Sequence, residues 1–177
     1  ENGQARLLNA AEAEIKGIEA EVVYLLAENL TISSGISLID SEYKKFDKAP
    51  LNTPTGIGGN NPPVLGGVSG NELVRAPDTT VNVGVQYLLP TANGEFAFNV
   101  HYFYNSGFYW EPENRLEQED YEVVNVELGW KSPSEQWSAR LYGKNLLDEE
   151  YSYYSNSSQL GDAISAAPPL TYGVAVG

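Results

Sequence analysis

Apolar and polar residues alternate one by one along most of this chain, a period that β-strands convert into two chemically distinct faces. Ile18, Ala20, Val22 and Tyr24 oppose Gly17, Glu19, Glu21 and Val23, which predicts a first strand over residues 14–26. After a break at Ala27-Glu28-Asn29, Leu30, Ile32, Ser34, Ile36 and Leu38 oppose Thr31, Ser33, Gly35 and Ser37, so the two segments read as a hairpin. The same pattern returns with Val81 to Leu89, Phe96 to Asn105, Val123 to Trp130, Trp137 to Tyr142 and Thr171 to Val176. Helical apolar spacing is hard to find, and the fold class is all-β with about seven antiparallel strands.

The connections carry equal weight. Those at Ala27, at Pro90 to Gly94 and at Ser132 to Gln136 are short, whereas those over residues 47–78, 111–119 and 155–167 are longer and rich in Pro, Gly, Ser or acidic residues. In a two-sheet sandwich the lengths of the connections need not follow any order. Strict alternation of short and long is what a transmembrane barrel shows, with tight turns at one rim and extended loops at the other. The expected architecture is therefore an antiparallel up-and-down transmembrane β-barrel. About seven strands cannot close such a barrel, whose smallest bacterial form has about eight, so this is an incomplete segment.

Side-chain chemistry agrees. Tyr24, Tyr87, Trp130 and Trp137 lie near the short turns, and Tyr102, Tyr104, Phe108, Tyr109, Trp110, Tyr151, Tyr153 and Tyr154 lie toward the long loops, predicting two interfacial girdles. The opposite face carries Glu19, Glu21, Asn82, Gln86, Asn99, His101, Asn125, Glu127 and Arg140, groups suited to a wet lumen rather than hydrocarbon. No apolar run approaches the ~20 residues of a spanning helix. The 24 acidic against 10 basic residues give a formal charge of -14, which excludes nucleic-acid partners held by simple attraction. There are no cysteines, so disulfide scaffolds and thiolate metal sites are excluded. Residues 1–10 lack the features of a secretory signal, and the expectation is a chain that begins partway along a longer one.

Lys144-Asn145-Leu146-Leu147-Asp148-Glu149-Glu150-Tyr151 resembles the Asn-Leu-Phe-Asp-x-x-Tyr segment of TonB-dependent receptors. Gly17-Ile18-Glu19-Ala20-Glu21, Gly70-Asn71-Glu72-Leu73-Val74-Arg75-Ala76-Pro77 and Pro169-Leu170-Thr171-Tyr172-Gly173-Val174 are similar to three further segments of that family. Two departures stand out: Leu170 replaces the family's usual Arg, and the chain stops at Gly177 without the customary terminal aromatic, as if clipped. The resemblance implies that residues 1–177 are the C-terminal portion of a receptor barrel in the Gram-negative outer membrane. It also implies a complete barrel of about 22 strands around an N-terminal plug. Partners implied with it are outer-membrane lipid, an extracellular small-molecule or chelate substrate, the TonB complex and the barrel assembly machinery. The function implied is uptake of an iron-siderophore, cobalamin, oligosaccharide or similar bulky nutrient, with no enzymatic activity and no cofactor.

Phe108, Tyr109, Trp110 and Arg115 sit where a strand passes into an outer loop, and aromatic plus guanidinium groups make good ligand contacts. Tyr109, Trp110 and Arg115 are the candidate ligand-binding residues, against the alternative of an ordinary interfacial girdle. The loop over residues 47–78 either closes over substrate or is a surface loop. A lone histidine, His101, rules out a multi-imidazole metal site in this chain and reads as lumen lining. Glu19, Glu21 and Glu127 read as solvated wall, because no nucleophile or base stands with them. Residues 144–148 read as structural, and Asp148-Glu149-Glu150 as an acidic rim. Two other functions fit alternation less completely: a passive porin, and a soluble β-sandwich that binds carbohydrate through Trp110 and its neighbours.

Overall fold

The computed structural model describes residues 12–54 and 61–177; residues 1–10 and the Gly58-Gly59-Asn60 part of the long loop lie outside them. Among the described residues there are only strands and turns, and no helix is long and apolar enough to cross a membrane. Seven strands form one antiparallel sheet in which each hydrogen-bonds to the next: β1 (Glu12–Ala27), β2 (Leu30–Lys45), β5 (Thr79–Thr91), β6 (Gly94–Asn105), β9 (Tyr121–Lys131), β10 (Ser138–Lys144) and β13 (Thr171–Val176). Three further hairpins stand on the long connections: β3 (Ala49–Asn52) with β4 (Pro63–Gly66), β7 (Phe108–Tyr109) with β8 (Glu117–Gln118), and β11 (Ser152–Ser158) with β12 (Gly161–Ala166).

Because register sets which residues share a face, the ladder shows how the alternation is spent. Tyr24 pairs Ile32, Ile32 pairs Val85, Val85 pairs Val100 and Val100 pairs Val126, so one row across five strands is wholly apolar. The next row toward the short turns runs Leu30, Tyr87, Phe98, Leu128, Leu141 and Val174. The interleaved rows on the other face run Ser33, Gly84, His101 and Asn125, and then Thr31, Gln86, Asn99, Glu127 and Tyr142. Among the described residues no second layer covers the apolar face: Phe98 and Val100 are each 40% exposed and Leu141 is 53% exposed. An apolar sheet face left open belongs against hydrocarbon, since water would drive it to pack.

The band has edges. On β1 and β2 the outward positions beyond Ile18 and Leu38 are Lys16, Glu14, Asp40, Glu42 and Lys44, joined by ion pairs at 2.6 Å (Lys16–Glu14) and 3.5 Å (Lys44–Glu14) and between Lys44 and Glu42. At the opposite rim β5 and β6 turn over Ala92-Asn93 into Gly94. Gly94 has φ +118°, and a Cβ there would meet the Lys131 carbonyl at 2.0 Å, so only glycine lets β9 approach this turn. The Trp130 indole N–H donates to the Asn93 carbonyl at 3.1 Å, an aromatic ring with its polar tip at the band edge.

Two expectations are corrected here. The second strand continues past Leu38 to Lys45, and the connections over residues 47–78, 111–119 and 155–167 each carry strand residues paired in a short hairpin, where only loops were expected. These pieces bury no continuous stripe, so hydrophobic period is silent on them. They form through backbone pairing and small local clusters. The buried apolar cluster of the described residues, Tyr43, Ala49 and Val68 with Phe46, Leu51 and Leu73 around it, lies at the base of the first hairpin. There the chain returns alongside β2, with Val68 N–H donating to the Phe46 carbonyl and Gly70 N–H to the Tyr43 carbonyl.

Candidate functional site

The three hairpins on the long connections meet and lock through side chains. Arg115, between β7 and β8, donates from Nη1 to Asp162 Oδ2 at 2.7 Å and from Nη2 to Asp162 Oδ1 at 2.9 Å, a bidentate pair reaching β12. Its Nη2 also donates to Ser157 Oγ at 3.0 Å and its Nε to Glu113 Oε1 at 2.9 Å. Asn61, beside β4, donates to Asp162 Oδ1 at 2.8 Å and to Ser157 Oγ at 3.2 Å. Ser157 Oγ donates to the Asn52 carbonyl at 2.9 Å, and Asn52 Nδ2 donates to the Ser157 carbonyl at 3.1 Å. One arginine thus clamps segments that are far apart in sequence, and the planar guanidinium suits the task because its fork matches a carboxylate.

The electrostatics of the clamp follow from burial and partners. Arg115 beside Asp162 holds that carboxyl below the usual aspartate range, with Ser157 and Asn61 adding to the effect. Asp162 and the other neighbouring acids in turn raise the Arg115 guanidinium further, so it stays charged at every accessible pH. Glu111 is pushed up by burial, against the pull of hydrogen bonds from the Leu116 and Arg115 N–H groups at 2.7 and 2.6 Å.

A depressed Asp162 stabilises the closed hairpins above its unfolded pKa, and that contribution is lost as pH falls through its folded value. A raised Glu111 costs stability at neutral pH, and the cost is relieved as pH falls through its folded value. Closure is therefore predicted to strengthen on mild acidification and to fail on strong acidification. Nitroxides at Val64 and Leu160 of the full-length receptor should report a distance distribution that narrows and then broadens. Asp162→Asn should broaden it at neutral pH, weakening docking by about 1–2 kcal/mol for a pair that is 28% exposed on both partners.

The candidate ligand-binding residues do not form one patch. Phe108 and Trp110, two residues apart, share a side, with ring centroids 4.8 Å apart, and Trp110 meets Tyr154 edge-on at 6.2 Å. Tyr109 points the other way, opposite Glu117 in the β7–β8 ladder, and its hydroxyl is pushed up by Glu117, by burial and by Glu72. Arg115 stands in the clamp. Of the expected outer girdle, Tyr102 and Tyr104 lie on the lipid face of β6, with the Tyr102 hydroxyl donating to Glu122 at 2.9 Å. Tyr151 instead stacks on Tyr121, centroids 4.5 Å apart and planes 4° apart, beside the inward-facing Phe103.

Residues that period and composition missed are Asp162, Glu113, Asn61 and Arg75. The Arg75 guanidinium lies 5.1 Å over the Trp110 ring and 5.8 Å over Tyr154. No local signal marks the clamp, since its partners are 47 positions apart in sequence. His101 lies on the polar face with Gln86, Asn99, Asn125 and Glu127, and no metal-holding cluster occurs among the described residues. Glu19 accepts from Ser37 at 3.3 Å and Glu127 meets Arg140 at 3.4 Å.

The segment resembling the family's Asn-Leu-Phe-Asp stretch has a definite structural task. Asn145, 4% exposed, donates to the carbonyls of Glu149 at 3.0 Å and Pro168 at 3.2 Å and accepts from Glu149 N–H at 3.0 Å. The Asp148 carboxylate accepts from Leu170 N–H at 2.9 Å, tying the start of β11 to the approach of β13.

An open antiparallel sheet with an uncovered apolar face, a polar opposite face, tight turns at one rim and interlocked hairpins at the other is a segment of outer-membrane barrel wall. A family model described as TonB dependent receptor-like, beta-barrel matches residues 1–146. The chain belongs to this family, whose place is the Gram-negative outer membrane and whose members are transport receptors rather than enzymes. Its fold is similar to that of the ferric yersiniabactin uptake receptor FyuA from Yersinia pestis, with a TM-score of 0.73, 20% identity, and coverage of 93% of this chain and 23% of that one. The siderophore receptor PiuA from Acinetobacter baumannii gives 0.71, 16%, 93% and 21% in the same order. The unliganded ferric citrate transporter FecA gives 0.66, 16%, 93% and 24%. This chain therefore spans less than a quarter of each of those relatives.

Proposed function

We propose that the chain is the C-terminal stretch of an outer-membrane receptor that imports a scarce, bulky nutrient of the ferric-chelate type, with transport driven through the TonB complex. The observation that carries this reading is the clamped set of three hairpins above the polar face, bearing Trp110, Tyr154 and Arg75 on one side and Tyr109 on the other. A solute channel that only sieves by size has no need of such an assembly, whereas capture of a large ligand does. Trp110 would meet ligand directly, with Arg115 fixing the hairpins that present it and Tyr109 left on their other side. Relatives of the same fold named for ferric yersiniabactin and ferric citrate support the substrate type.

The test is uptake of radiolabelled ferric chelates by cells carrying the full-length receptor, with and without a working TonB system. The reading predicts saturable uptake that disappears without TonB. Uptake that rises linearly with concentration and ignores TonB would instead make the protein a passive porin.

A further inference from the structure

Among the described residues of the hairpin assembly, Arg75 is a cation held in place without an acidic partner. Arg115 is taken up by Asp162 and Glu113, whereas Arg75 forms no ion pair among the described residues and its side chain is exposed. Lys48 is likewise unpaired, but nothing holds it, whereas the Arg75 guanidinium lies over two aromatic rings, 5.1 Å from Trp110 and 5.8 Å from Tyr154. Those rings, braced by Phe108, hold the guanidinium by attraction of its charge to their faces. The backbone is built to hold it there. Arg75 has φ +55°, a left-handed conformation uncommon outside glycine, and its N–H donates to the Tyr109 carbonyl at 2.9 Å.

A guanidinium held over aromatic rings, with no acidic partner among the described residues, is suited to receive a planar oxygen anion. The other side of β7 suits such a group less, because Tyr109 stands opposite Glu117 there and the charges of Glu117 and Glu72 act on its hydroxyl. We infer that Arg75, framed by Trp110 and Tyr154, is the subsite that takes a carboxylate or catecholate edge of an anionic iron chelate. This deepens the receptor reading above and rests on it. Arg75 thereby sets ligand charge preference, and Arg115 sets only the shape of the mouth.

The experiment measures binding to the full-length receptor in detergent by calorimetry, using ferric citrate and the ferric tris-complex of 2,3-dihydroxybenzoate as anionic probes and a neutral ferric trihydroxamate as control. Wild type should bind at least one anionic probe. Arg75→Gln should weaken it roughly 10- to 100-fold, the loss expected for a charge-assisted bidentate contact, and Arg75→Lys should recover part of that. Any binding of the neutral control should change by no more than about twofold. Arg75→Gln binding the anionic probe as wild type does, or losing anionic and neutral probes alike, overturns the subsite and leaves the receptor reading standing. So does wild type that binds only the neutral chelate. A wild type that binds none of the three removes the ferric-chelate reading itself, and the subsite with it.

Discussion

Replacing Asn145 by alanine is expected to lower the stability of the full-length barrel by about 3–5 kcal/mol, read as a shift of the urea midpoint in lipid vesicles. The figure has two sources. The first is polar: the buried amide satisfies the N–H and carbonyl of Glu149 and the carbonyl of Pro168, and alanine leaves all three groups without their partner. Each such loss costs about 1–3 kcal/mol when water cannot fully replace the bond. The second is conformational. Asn145 has φ +51°, a region where asparagine is tolerated and alanine pays about 1 kcal/mol or more. Asn145→Gly separates the two, because glycine removes the backbone strain and keeps the polar deficit. It should recover about 1 kcal/mol of the loss and no more. A midpoint for the alanine variant equal to wild type would mean that this segment does not close the end of β10.

Arginine in place of Val100 should cost about 2–4 kcal/mol, whereas arginine in place of His101, one residue along, should cost less than about 1 kcal/mol. On β6 the outward residues are Phe96, Phe98, Val100, Tyr102 and Tyr104, so Val100 is the midpoint between aromatic ends and lies deepest in the apolar band. A guanidinium there has neither water nor a partner carboxylate beside it, since its row neighbours are Val85 and Val126. His101 has Gly84 and Asn125 as row neighbours on a face lined with amides and carboxylates, where a cation stays hydrated. The difference between two adjacent positions removes most effects of strand propensity. Equal costs at both would argue against hydrocarbon on one side and water on the other.

The wall was legible and the crown was not, for a physical reason. Along β5, β6 and β9 each side chain meets either hydrocarbon or a polar lumen, so every second residue is chosen by solvent and the period survives in the sequence. Ser152–Ser158 has water or other loops on both sides, and its Ser-Asn-Ser-Ser run has no apolar phase, which is why a β-strand there reads as a loop. The clamp is invisible for a different reason: Arg115 and Asp162 meet only after both connections have folded back over the sheet. The aromatic content of the site was visible, but not its division. Strand alternation at β7 sends Trp110 toward Arg75 and Tyr109 toward Glu117, and that follows from a two-residue strand too short to announce itself. Asn145 was legible as part of a family-like segment, whereas its task required the left-handed backbone and three hydrogen bonds to be seen together.

If the sheet is barrel wall, β6 has lipid on one side and water on the other. The chain contains no cysteine, so a single nitroxide can be placed in turn at positions 96 to 104 of the full-length receptor in bilayers, with its collision rates for oxygen and for a water-soluble nickel chelate recorded at each. The expected result is a two-residue oscillation with the two quenchers out of phase, oxygen high at 96, 98, 100, 102 and 104, and nickel high at 97, 99, 101 and 103. Flat profiles, or nickel access at 98 and 100 equal to that at 99 and 101, would contradict it.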